Sequence, residues 1–147
     1  MRYTILFSIF LFTLLTGCTK DKFGSKPTLT FKSVSTRVLP PGQLIQFTLS
    51  FTDKEGDLAG SVYVEKNEPT CAASSFSETD SIPTFPASKN EKGEITVTYG
   101  NNGPTTFSNI SPQCQRNDTA VFRFAIKDKA NNVSDTVSSP PIIIIYQ

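Results

Sequence analysis

From Ile45 to Phe51 the chain alternates strictly, with Ile45, Phe47, Leu49 and Phe51 separated by Gln46, Thr48 and Ser50. A period of two puts the four large apolar side chains on one face of an extended strand and the polar ones on the other. The pattern recurs at Leu29 and Phe31, at Val62 and Val64, at Ile95, Val97 and Tyr99, and at Phe122, Phe124 and Ile126. No segment beyond residue 26 carries a helical apolar stripe of useful length. Turn chemistry separates the runs: Pro40-Pro41-Gly42, Glu55-Gly56, Lys92-Gly93 and Asn102-Gly103-Pro104. Strands are expected over 28–34, 43–52, 60–65, 80–86, 94–99, 119–128 and 135–146. Half-buried strands at this spacing predict an all-β, two-layer antiparallel sandwich of about seven strands in one domain. The pair Pro140-Pro141 fits a bulge or an edge switch. The run Ile142 to Ile145 is expected as a terminal strand buried on both faces or packed at one end.

The first residues follow another rule. An apolar run from about Tyr3 to Thr16 follows Arg2 and ends in Leu15-Thr16-Gly17-Cys18. It is too short for a hydrocarbon core that needs about 20 helical residues, and it reads as a targeting segment. It resembles a bacterial lipoprotein signal with its lipobox. The resemblance implies that 1–17 is a signal peptide and that Cys18, as first mature residue, carries lipid. Two or more acyl chains there anchor a protein stably to a membrane. Residues 18–26 are then a lipidated tether, about 25–30 Å when fully extended. Thr19 rather than Asp follows the cysteine, which argues against inner-membrane retention. The charged stretch from Lys20 to Lys26 partly matches Bacteroidetes surface-export signals. The expected address is the cell envelope, at the outer membrane, surface-facing or periplasmic.

With Cys18 lipidated, Cys71 and Cys114 remain as a pair, and outside the cytoplasm a disulfide is expected. Closing that loop is worth about 4 kcal/mol on the chain-entropy estimate. Net charge is +1, and no basic run exists to neutralise phosphates, so nucleic acid is excluded as a partner. The chain has no His and no Trp. That removes imidazole bases, His metal ligands and Ser-His-Asp or Cys-His machinery, and two isolated cysteines make no zinc site.

Two segments carry a second resemblance. Phe51-Thr52-Asp53-Lys54-Glu55-Gly56-Asp57-Leu58 follows the second expected strand, and Ile126-Lys127-Asp128-Lys129-Ala130-Asn131-Asn132-Val133-Ser134 follows the sixth. Together they resemble the immunoglobulin-like and cadherin-like modules of bacterial surface proteins, over about 27–147. Two departures are Glu55 where Asp is usual and Asn131 where Gly is usual. Such a sandwich gathers alternate loops at opposite poles. Cys71 and Cys114 then share one pole, and Asp53, Glu55, Asp57, Asp128 and Asn131 share the other. Those oxygens form a candidate calcium set. The plainer reading is a solvated acidic turn cornered at Glu55-Gly56. The acids crowd one turn rather than flanking a cleft, so carboxylate-pair catalysis is disfavoured and the chain is read as a non-enzyme.

Asp80-Ser81-Ile82, Asp118-Thr119-Ala120 and Asp135-Thr136-Val137 match a loose O-glycosylation pattern of exported Bacteroidetes proteins, at Ser81, Thr119 and Thr136. The alternative is a strand-end Asp followed by a strand residue. The overall expectation is a lipid-anchored binding or assembly module whose partner is the membrane through Cys18 and an unidentified envelope protein or polysaccharide. Its outward loops would be 99–113, with Phe107, and 69–85, with Phe76. The alternative is a structural envelope lipoprotein without a ligand.

Overall fold

The computed structural model describes residues 25–86 and 88–147. The signal segment 1–17, Cys18 and the tether up to Gly24 lie outside the described residues. Among the described residues nine strands follow in chain order: β1 Thr28–Val34, β2 Val38–Leu39, β3 Leu44–Asp53, β4 Ser61–Asn67, β5 Phe76–Ser81, β6 Glu91–Gly100, β7 Asp118–Lys127, β8 Val137–Ser138 and β9 Ile142–Ile144. The smaller sheet runs β1-β3-β6. The larger runs β2-β9-β7-β4-β5, with β8 also on β7.

The first strand of the sandwich is divided between the sheets as β1 and β2, and the last is divided as β8 and β9. Counted as single strands, these leave the seven of an immunoglobulin-like sandwich. Pro140 and Pro141 lack the N–H a ladder needs, and Ser139 bridges the break. Its N–H donates to the Phe122 carbonyl at 2.8 Å, and its Oγ accepts the Phe122 N–H at 3.0 Å.

The core lies where the inward phases of β3 and β7 meet. Phe47 is fully buried, with ring centroids 4.6 Å from Phe122 and 5.3 Å from Phe124. Apolar burial of this kind is the main favourable term in folding.

Two expectations are corrected. The fourth strand, expected over 80–86, is instead β5 at Phe76–Ser81, and it pairs with β4 in the larger sheet. Beyond Phe76, β5 is polar on both faces, so alternation does not reveal it, while Pro83 and Pro86 disfavour a ladder where the apolar signal of Ile82 and Phe85 lies. The terminal isoleucines are not buried on both faces: Ile142 and Ile144 are fully buried, whereas Ile143 is 39% exposed. They alternate like any other half-buried strand.

Candidate functional site

The topology sets two poles. At one, the β3–β4 loop meets the β7–β8 loop and the end of the β5–β6 loop. Asn90 N–H donates to the Lys54 carbonyl at 3.0 Å, and Lys129 N–H to the Asp57 carbonyl at 3.1 Å. The chain also enters here, since Thr28 pairs with Thr52.

Each loop is built around an aspartate. Asp53, buried at the end of β3, accepts the Glu55 N–H on Oδ1 at 3.2 Å and the Asp57 N–H on Oδ2 at 2.9 Å. This is turn chemistry in which a short carboxylate stands in for a backbone acceptor. Gly56 then takes φ +73°, and a Cβ there would lie 2.2 Å from the Ser88 carbonyl oxygen. In the second loop Asp128 accepts the Asn132 N–H at 2.8 Å and the Asn132 side-chain amide at 2.9 Å. Asn131 turns the corner with φ +69°.

These turns bring carboxylate oxygens of Glu55, Asp57 and Asp128 within 4.8 Å of one another. Oδ1 of Asp57 is buried and has no hydrogen-bond donor among the described residues. Burial pushes the Asp57 carboxyl above its ordinary range, and the negative charges of Asp128 and Asp53 push it further. Three hard oxygen donors, one of them orphaned, are a cluster that could hold a metal ion. Of the five residues in the expected calcium set, Asp53 and Asn131 fall outside this group. Both oxygens of Asp53 are spent on backbone N–H groups, and Asn131 is an exposed corner.

At the other pole Cys71 and Cys114 are joined, with Cα atoms 6.1 Å apart. Glu68, buried beside them, accepts the Thr70 N–H at 2.9 Å, the Thr70 hydroxyl at 2.6 Å and the Thr119 N–H. Burial alone would raise its carboxyl, but the Thr70 and Thr119 donors and the Lys66 charge outweigh it and hold the group below the usual range. Within the outward loops, Phe107 is 38% exposed, whereas Tyr99 is buried and Phe76 packs edge-on against it at 5.8 Å. Phe107 is therefore the aromatic these loops present. Ser81, Thr119 and Thr136 are exposed, but Asp118 before Thr119 is buried.

A third feature gave no signal in the alternation pattern. β5 and β6 end their respective sheets, and the side of the sandwich between them is open. A groove of about 480 Å³ runs there over Val62, Ile82, Phe85, Val97 and Tyr99, with Glu78, Asp80 and Glu94 also along it. Tyr99 donates its hydroxyl to Glu78, and burial and that bond push the phenol upward.

No family model matches this chain, and no curated protein matches it. Among solved structures it is similar to the sporulation control protein Spo0M of Bacillus subtilis, at 9% identity and TM-score 0.44, over 83% of this chain and 50% of that one. It is similar to a β-glucosidase of Listeria innocua in complex with gluconolactone, at 12% identity and TM-score 0.43, over 83% of this chain and 16% of that one. A third is the CARDB domain of the PF1109 protein of Pyrococcus furiosus in complex with di-metal ions, at 13% identity and TM-score 0.36, over 84% and 98%. The chain thus spans half or less of the first two. Likeness at this level carries nothing about activity or ligand.

Proposed function

We propose that this chain is a non-enzymatic module, anchored by lipid on Cys18 at the outer membrane, that binds an envelope protein partner. The observation that carries the binding reading is the open groove beside the outer edge of β6, which among the described residues pairs with no further strand and is bridged only at its Gly100 end, by Asn109. An exposed edge strand offers a row of backbone donors and acceptors, and a partner strand can add to it. The groove asks for alternating apolar side chains, and Asp80 with Glu78 asks for lysine or arginine between them, while Glu94 is already paired with Lys32. The partner is therefore an extended, basic, strand-forming segment. At the pole where the chain enters, the acidic cluster takes calcium, which stiffens the loops nearest the tether and leaves the disulfide pole pointing away from the membrane.

The test places a photo-reactive amino acid at Thr96 on β6, or at Thr30 on exposed β1, in the full-length protein in its host. The expected result is one discrete adduct from Thr96, absent from Thr30, and lost on charge reversal by Asp80→Lys. Equal adducts from both positions, or an adduct indifferent to the reversal, would reject the groove. Protease shaving of intact cells against a periplasmic control then separates surface from periplasm.

A further inference from the structure

Beneath the disulfide pole lie two charged side chains that serve neither the groove nor the acidic cluster. Lys66 on β4 and Asp118 at the start of β7 have side chains 1% and 0% exposed. Lys66 shares the inward phase of β4 with Val62 and Val64. Its Nζ lies 2.8 Å from Oδ2 of Asp118 and 3.1 Å from the Ile110 carbonyl oxygen. An ammonium carries three N–H donors, and these two are its acceptors. Among the described residues one N–H therefore has no acceptor, and Oδ1 of Asp118 is buried without a donor. Burying unmatched charged groups is costly.

We propose that Lys66 and Asp118 condense into an intramolecular isopeptide bond, a second covalent tie at this pole. In bulk water the separated ions are favoured over the amide because both are strongly hydrated. Burial has already removed that hydration, so the neutral product gains ground. A proton passes from Nζ to the carboxylate, giving an amine and a carboxylic acid. The amine lone pair adds to Cγ, forming the C–N bond. A second proton moves from nitrogen to a hydroxyl oxygen, the C–O bond breaks, and one water leaves. Ammonium plus carboxylate gives amide plus water, with no oxidant or co-reactant.

The geometry suits this step. A nitrogen 2.8 Å from one carboxylate oxygen sits on the order of 3.5 Å from the carboxylate carbon, at the edge of near-attack range. The product amide keeps one N–H, which the Ile110 carbonyl already accepts, and one oxygen. Unmatched groups fall from two to one. A pocket of about 130 Å³, lined by Lys66, Ser74 and Ile110 among others, gives the water a way out. Glu68 is held by Thr70 and Thr119 and takes no part in the proton transfers.

The test is a tryptic map of the full-length protein after disulfide reduction and alkylation. An acylated Lys66 resists trypsin, so the expected product is peptide 55–89 joined to peptide 117–123, lighter than their sum by one water. The Lys66→Arg variant is expected to release 117–123 alone. Recovery of 55–66 and 117–123 from the unsubstituted protein as separate peptides of full mass, as the dominant forms, would overturn the proposal. The deciding measurement is on the unsubstituted chain, so it does not depend on any variant folding.

Discussion

Replacing Asp57 by Asn should change the sign of its effect with calcium. In chelator, Asp57 sits among like charges, with its carboxylate within 4.8 Å of those of Glu55 and Asp128. Coulomb's law at that distance gives about 0.9 kcal/mol per pair at the dielectric of water and about 3.5 at an effective constant of 20. The cluster lies at a partly open loop surface, so solvent screening pulls the value toward the lower figure, and relief of about 1 kcal/mol is expected. Asp57→Asn should therefore raise the melting temperature of calcium-free protein by a few degrees at neutral pH. The raised carboxyl of Asp57 gives the pH dependence. Its contribution to stability is present below the ordinary value of 3.8 and is lost as pH rises through the higher folded value. The Asn variant lacks that loss. With calcium the order reverses, because the ion binds the ionised form. At a hundred times the dissociation constant it adds about 2.7 kcal/mol to the parent protein, and the variant forfeits most of this. Thermal unfolding followed by circular dichroism, with chelator and with calcium, gives the four values. Destabilisation by Asp57→Asn in chelator would refute the like-charge argument. An unchanged melting temperature of the parent protein on adding calcium would refute the ion.

Three further outcomes follow from the packing. Cys71→Ser with Cys114→Ser, bonded residues 43 apart in sequence, should cost about 4 kcal/mol in urea unfolding; a cost under about 1 kcal/mol would mean that the loop is held by other means. Gly56→Ala forces a Cβ against the Ser88 carbonyl at positive φ, so a loss of about 1–3 kcal/mol is expected, and a neutral result would show that the turn can open. Phe47→Ala removes the ring that touches both Phe122 and Phe124 and should cost about 3–5 kcal/mol by chemical denaturation, with a smaller loss meaning that the two sheets close over the gap.

How much of this was legible depends on whether a residue's role is local or relational. Phe47 and Phe122 announce themselves, because an apolar residue at every second position can satisfy itself only by facing a core. The Cys71–Cys114 pairing was legible through elimination, once Cys18 is assigned to lipid. The turn at Gly56 was legible as turn chemistry. β5 was not, because Ser77, Glu78, Thr79 and Asp80 bury little, and their strand exists through pairing with β4. The groove was not, because it is a property of two strands that end different sheets. Within the acidic set, the sequence brings five oxygen-bearing residues to one pole but does not tell which face inward. Asp53 and Asp57 differ only in that the first points back at its own turn.

Lys66 and Asp118 show how such relational roles can still be sought. Neither is apolar, so a search for hydrophobic alternation passes over both. Yet Val62, Val64, Lys66 and Glu68 form one unbroken period of two, as do Asp118, Ala120, Phe122 and Phe124, and every one of these residues is buried. Phase predicts the side on which a strand residue sits, while hydropathy predicts only whether it is content there. A charged residue on an inward phase must be paired, neutralised or chemically consumed. Three such residues lie on or beside these adjacent antiparallel strands, one cationic and two anionic; Thr70 and Thr119 occupy Glu68, which leaves Asp118 to Lys66. Condensation resolves that pairing at the loss of a single water and leaves the same backbone behind.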